Sequence, residues 1–155
     1  MSLNKILLEL AFLASGMGVV FFVLIPTDYH VEPIYSYIYG KTYVVRIANE
    51  LIAKSPLWAH DVAEPPLSKQ RAIELADQVY QSFIHVKVDD TQHRHWELAG
   101  AFERQAGTYK WFWCVTYWRL PPYLGGYPDE ELTIVVLMDG TVLKPILWVK
   151  RQKQQ

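Results

Sequence analysis

The chain has 155 residues, 51% apolar and 20% charged, and its 15 basic and 16 acidic side chains nearly cancel. That is one domain of ordinary size with enough apolar matter for a sizeable core, and it lacks the basic excess of a nucleic-acid binder, so no nucleic-acid partner is expected. The single cysteine, Cys114, excludes an internal disulfide and a thiolate metal cage. Set inside an aromatic run, it reads as a small buried hydrophobe rather than a nucleophile.

Residues 6–25, ILLELAFLASGMGVVFFVLI, carry one charge, Glu9, before Pro26 ends the run. About twenty apolar residues span a bilayer core as a helix. The segment is therefore expected to be a single-pass transmembrane helix, with a cleaved signal peptide or a buried helix as alternatives. LASG at 13–16 is a poor cleavage site and the apolar run continues past it, which favours an anchor. Lys5 before the run, with Asp28 and Glu32 after it, would leave the N-terminus inside and the rest outside.

Tyr35, Tyr37 and Tyr39 then alternate, as strand positions do and as interfacial tyrosines would. KTYVVRI (41–47) is β-prone, and NELIAKSPLW (49–58) predicts a short helix stopped at Ser55-Pro56. Pro65 and Pro66 close a linker. Ser68 offers an N-cap oxygen to an amphipathic helix through SKQRAIELADQVYQSF, with Ala72, Ile73, Ala76, Val79, Tyr80 and Phe83 on one side. After the polar stretch HVKVDDTQHRH the period drops to two. In HWELAGAFER, Trp96, Leu98, Gly100 and Phe102 are expected on one face and Glu97, Ala99, Ala101 and Glu103 on the other, in a strand buried on one side.

YKWFWCVTYWR (109–119) places Trp111, Trp113, Val115 and Tyr117 on one face and Phe112, Cys114, Thr116 and Trp118 on the other. With LTIVVLM (132–138) it should form the centre of the sheet, one face under the helix and the second covered mainly by residues 34–47. Asp139-Gly140 predicts a two-residue hairpin turn with positive φ at both positions. Pro145 predicts an edge or a break in the last strand. The expected fold class is α+β: an N-terminal transmembrane helix, a short extra strand/helix segment, then one amphipathic helix packed on a four-stranded antiparallel meander. The expected organisation is a membrane anchor at 1–27, a tyrosine-rich connecting segment packing on the domain at 28–64, the α+β domain at 65–150 and a basic tail at 151–155.

LSKQRAIELADQVY, WELAGAFERQAGTYKWFWCVTYW and IVVLMDGTVLKP resemble the opening helix, strand pair and closing hairpin of PepSY-like domains, which are small cystatin-like modules of bacterial envelope proteins. The wider series KTYVVRI…SPLW…PPLS…YKWFW…VLMDGTV, over residues 41–146, resembles a group of secreted or membrane-anchored bacterial proteins. The resemblance implies a cystatin-like fold and a role in binding or inhibiting peptidases or as an accessory sensor. It implies no catalytic residue, because the matched positions are structural, and segment 28–58 lies outside it.

His93 and His95, with Asp89 and Asp90 before them, match no strong metal signature and read as a solvated loop. His30 and His60 read as surface residues. Glu130 and Glu131 would need a cleft to act as an acid–base pair, and Asp139 reads as a turn residue. No nucleophile elbow, zincin motif, P-loop or dinucleotide fingerprint occurs. No cofactor, metal or catalytic residue is expected. The expected function is a non-catalytic, membrane-anchored, extracytoplasmic binding or scaffolding module of the bacterial inner membrane. Its partners would be the lipid bilayer through residues 6–25 and another membrane or envelope protein. Candidate protein-contact residues are Tyr123, Leu124 and Tyr127 in the adhesive loop 121–131, with Trp118 and Trp148. The alternatives are an inhibitor or regulator of an envelope peptidase, and a small hydrolase whose site residues have no signature.

Overall fold

The computed structural model describes residues 6–12, 19–25, 29–60, 63–83, 95–120 and 130–149, the first two stretches as backbone. The fold is α+β, with a mostly antiparallel sheet and few helices. Strands β1 (Ile6–Phe12) and β2 (Val19–Ile25) pair antiparallel as a two-stranded sheet of their own, where a helix was expected. Two seven-residue apolar runs flanking Gly16 and Gly18, the second rich in Val and Phe, satisfy a strand as readily as a helix, because continuous apolarity carries no period. No helix among the described residues is long and apolar enough to cross a membrane.

The main sheet has seven strands where the sequence predicts four. Its order is β5 (His95–Gly107), β6 (Lys110–Leu120), β7 (Glu130–Leu137), β3 (Ile34–Ile38), β4 (Lys41–Val45) and β9 (Ile146–Leu147), with β8 (Val142–Leu143) also on β7. Residues 34–45 therefore extend the sheet sideways instead of lying across its second face. Their alternation explains this: Ile34, Ser36 and Ile38 are buried and Tyr35 and Tyr37 exposed, so the segment is a strand with ladder groups to satisfy. Pro145 separates β8 from β9, and β9 crosses to the outer edge of β4.

Helix α2 (Lys69–Phe83) starts where Ser68 Oγ accepts the Arg71 N–H at 3.2 Å and lays Ala72, Ala76 and Val79 on the sheet. The small alanines let Trp113, Val115 and Tyr117 of β6 and Leu132, Ile134 and Val136 of β7 pack beneath it. Trp58 and Leu67 extend this core, the latter accepting the Trp113 Nε1–H at 2.9 Å. On the opposite face Phe112, Cys114, Val135 and Leu137 meet Tyr29, Ile34, Val45 and Ile52. Helix α1 (Asn49–Lys54) thus covers that side together with both ends of the β3–β4 hairpin. Lys110, itself buried, clamps α1: its Nζ donates to the Ala53 carbonyl at 2.9 Å and to that of Ser55.

Three local readings change. A β-bulge at Ala99 shifts the β5–β6 register between Leu98 and Gly100, which reverses the alternation. Ala101, not Phe102, is therefore the core residue, and Phe102 is 58% exposed with its ring over Gly100. The Asp139-Gly140 turn is a three-residue loop: Leu137 N–H bonds to the Thr141 carbonyl, and only Gly140 has positive φ, at 89°. Asp139 keeps an ordinary φ and accepts the Thr141 N–H on Oδ1 at 2.9 Å. The two-residue turn with positive φ at both positions joins β3 to β4 instead, at Tyr39 (49°) and Gly40 (69°).

Candidate functional site

Residues paired across a sheet point to the same side. Trp118 of β6 pairs with Glu131 of β7, Glu131 with Tyr37 of β3, and Tyr37 with Thr42 of β4. Thr42 then accepts the Trp148 N–H at 2.9 Å, which continues the β4–β9 ladder. One row thus crosses the sheet from Trp118 to Trp148 in four strand steps, about 19 Å at the usual spacing. Tyr35 stands beside it, its ring edge-on to Trp148 at 6.3 Å.

At Trp118 and Glu131 the row lies on the face away from α2, beyond the end that α1 and Tyr29 close. Trp118 is 37% exposed, Tyr37 57%, Tyr35 40%, Trp148 40% and Ile146 61%. Burying rings on the α1 side while exposing them here follows from geometry: α1 has six residues and reaches only the end near Phe112 and Leu137. Two carboxylates and one guanidinium gather at the Trp118 end. Trp118 Nε1 donates to Glu131 Oε2 at 3.3 Å, and Thr133 Oγ1 donates to the other Glu131 oxygen at 3.3 Å. Arg119 and Glu130 pair beside them at 3.2 Å, and the Arg119 guanidinium lies 5.3 Å over the Tyr39 ring. Lys41 and Lys144 are exposed, Lys41 on the opposite face with its partner Ile38, and Lys150, Arg151 and Lys153 follow Val149 in sequence.

Trp118 and Trp148, chosen from the sequence, are therefore brought onto one surface. Tyr123, Leu124 and Tyr127 lie outside the described residues, as do Asp89, Asp90 and His93. Tyr35, Tyr37 and Ile146 belong to the surface and were not among the chosen residues. Their alternation marked an exposed strand face, but pairing with Glu131, almost a hundred residues away, had no local signal.

Two polar clusters lie elsewhere. His60 Nε2 is 3.1 Å from Glu103 Oε1, and its ring stacks on Trp111 at 4.6 Å. A backbone hydrogen bond, then His60, hold the Glu103 carboxyl below its usual range. Under α2, Tyr117 donates to Asp77 and stacks on Tyr80 at 4.3 Å. Burial first, then the Asp77 bond and charge, push the Tyr117 hydroxyl far above its usual range. Burial pushes the Cys114 thiol up to about 11, which removes thiolate chemistry near neutrality. Among the described residues no three His, Cys, Asp or Glu side chains gather as a metal site. Among the described residues the row presents flat rings, with the Glu131 carboxylate and the Arg119–Glu130 pair at one end, an arrangement that suits adhesion.

The chain matches no family model, no curated protein and no solved structure. The PepSY-like resemblance therefore rests on the residues quoted for it.

Proposed function

We propose that the chain is a non-catalytic binding module, anchored in a bacterial inner membrane and displayed on its outer side, that contacts another membrane or envelope protein. The observation that carries this reading is the row from Trp118 to Trp148, whose rings are exposed among the described residues. Exposed rings gathered on one surface mark interaction sites, and Trp and Tyr are favoured contact residues. The Trp118 end, continuous in sequence with residues 121–129, is the protein-contact half. A peptidase is the partner class that the PepSY-like resemblance suggests.

The anchor rests on residues 6–25. A two-stranded sheet leaves its outer backbone groups without ladder partners, which hydrocarbon does not tolerate. In a bilayer the same twenty residues are helical and reach about 30 Å, the thickness of the core.

A photocrosslinking residue at position 118 of the full-length chain, expressed in its membrane, tests the contact. A discrete adduct from position 118, absent from position 109 at the far β5–β6 turn, is expected. Equal or no crosslinking at the two positions overturns the reading.

A further inference from the structure

We propose that Glu131, set between Trp118 and Tyr37, is a receptor for a cationic side chain, and that its occupant is an arginine presented by the protein partner. This deepens the binding reading above and rests on it for the occupant.

Three observations carry the site. The first is register. Trp118 of β6 and Tyr37 of β3 are the two cross-strand partners of Glu131 in β7, so all three side chains leave the sheet on one side. At the usual strand spacing each ring residue stands about 5 Å from Glu131. A cation held at the carboxylate is then within the roughly 6 Å over which a ring face attracts it. The second is exposure: Trp118 and Tyr37 are exposed, and Glu131 is half-buried between them. The third is charge. Trp118 Nε1 and Thr133 Oγ1 donate to different Glu131 oxygens, each at 3.3 Å. Both donors are neutral, and no cationic side chain among the described residues pairs with this carboxylate. The neighbouring Glu130 differs, because Arg119 already pairs with it. The Glu131 carboxylate is thus held in place without being neutralised.

Arginine is the cation that these features select. Each Glu131 oxygen uses one lone pair on its neutral donor and keeps another, which matches the two parallel N–H groups of a guanidinium. A guanidinium also stacks on aromatic rings and is more weakly hydrated than an ammonium, so it gives up less on leaving water. A lysine would supply the charge without the fork.

The test labels the full chain with 5-fluorotryptophan in maltoside micelles and assigns the Trp118 signal by its loss in Trp118→Phe. N-acetylarginine amide, N-acetyllysine amide and N-acetylcitrulline amide, the last close to arginine in shape but neutral, are titrated in turn. The arginine compound should move the Trp118 resonance saturably, at several-fold lower concentration than the lysine compound, and the citrulline compound should leave it in place. Glu131→Gln should weaken the arginine response at least ten-fold and Tyr37→Ala several-fold, while the remaining tryptophan signals keep their positions and so report an intact fold. Equal responses to the arginine and citrulline compounds, or an unchanged titration in Glu131→Gln, overturn the site. If the adduct from position 118 forms while arginine leaves Trp118 unmoved, the cation site falls and the partner reading stands. If arginine titrates and no adduct forms, the site stands and its protein occupant falls.

Discussion

The Tyr117 hydroxyl donates a 2.5 Å hydrogen bond to the Asp77 carboxylate and so ties the middle of β6 to α2 across the first core. Tyr117 is 2% exposed, stacks on Tyr80 and sits under the same helix face as Ala76. A bond to a charged acceptor in such a place contributes about 1.5–3 kcal/mol.

Tyr117→Phe should therefore lower the unfolding free energy by about 2 kcal/mol in urea titrations, and Asp77→Asn by less, since an amide oxygen still accepts the bond. The pH dependence follows from the raised hydroxyl pKa values of Tyr117 and Tyr80, both caused first by burial. A raised folded pKa keeps the proton on the native state after the unfolded chain has lost it. This contribution is full below pH 10 and declines as pH rises above it. Wild type should lose stability above pH 10 more steeply than Tyr117→Phe.

Cys114 supplies a second alkaline effect at lower pH. Its thiol moves from an ordinary 9 to about 11 in the folded chain, by burial above all. Stability from this group is complete below pH 9 and is lost as pH rises through about 11, a change of about 3 kcal/mol at most. A Cys114→Ala chain should show a flatter profile from pH 9 to 11. In the native wild type a disulfide-exchange reagent should react with the thiol only as fast as the domain opens, and in denaturant at once.

Lys110 makes a different kind of contact. Burial holds its amine below the usual lysine range, yet its hydrogen bonds to the Ala53 and Ser55 carbonyls occupy the otherwise open end of α1. Lys110→Met should cost about 2 kcal/mol, through carbonyls left without a donor. Hydrogen exchange should locate the loss in α1 and Tyr29, with α2 little changed.

The bulge at Ala99 makes an opposite pair of predictions for adjacent residues. Ala101 is 1% exposed and faces Val115 under the helix, whereas Phe102 is largely exposed. Ala101→Leu should destabilise by about 1–3 kcal/mol through overpacking, and Phe102→Ser by less than about 1 kcal/mol. An unbulged strand, with Phe102 in the core, would give the reverse order in thermal melts.

Much of this molecule is local in origin and so could be read from the chain. The α2 helix follows from Ser68 and the spacing of Ala72, Ala76 and Val79. Alternation within β6 separates Trp113, Val115 and Tyr117 from Phe112 and Cys114, and the structure puts them on those two sides. Pro145 cannot donate to a ladder, and the strand stops there. These are consequences of neighbouring residues and of the periods 3.6 and 2.

What only the tertiary structure decided depends on distant partners. One bridge, Tyr37 to Glu131, turns a tyrosine-rich connector into the middle of a seven-stranded sheet. One extra residue at Ala99 reverses a face without altering the apolar pattern that hides it. The row from Trp118 to Trp148 combines five chain segments, of which only three carry ordinary exposed rings: Trp118, Tyr35 with Tyr37, and Trp148. No single segment announces a surface, because register between strands is set by long-range pairing, and that pairing is chosen by the whole core at once.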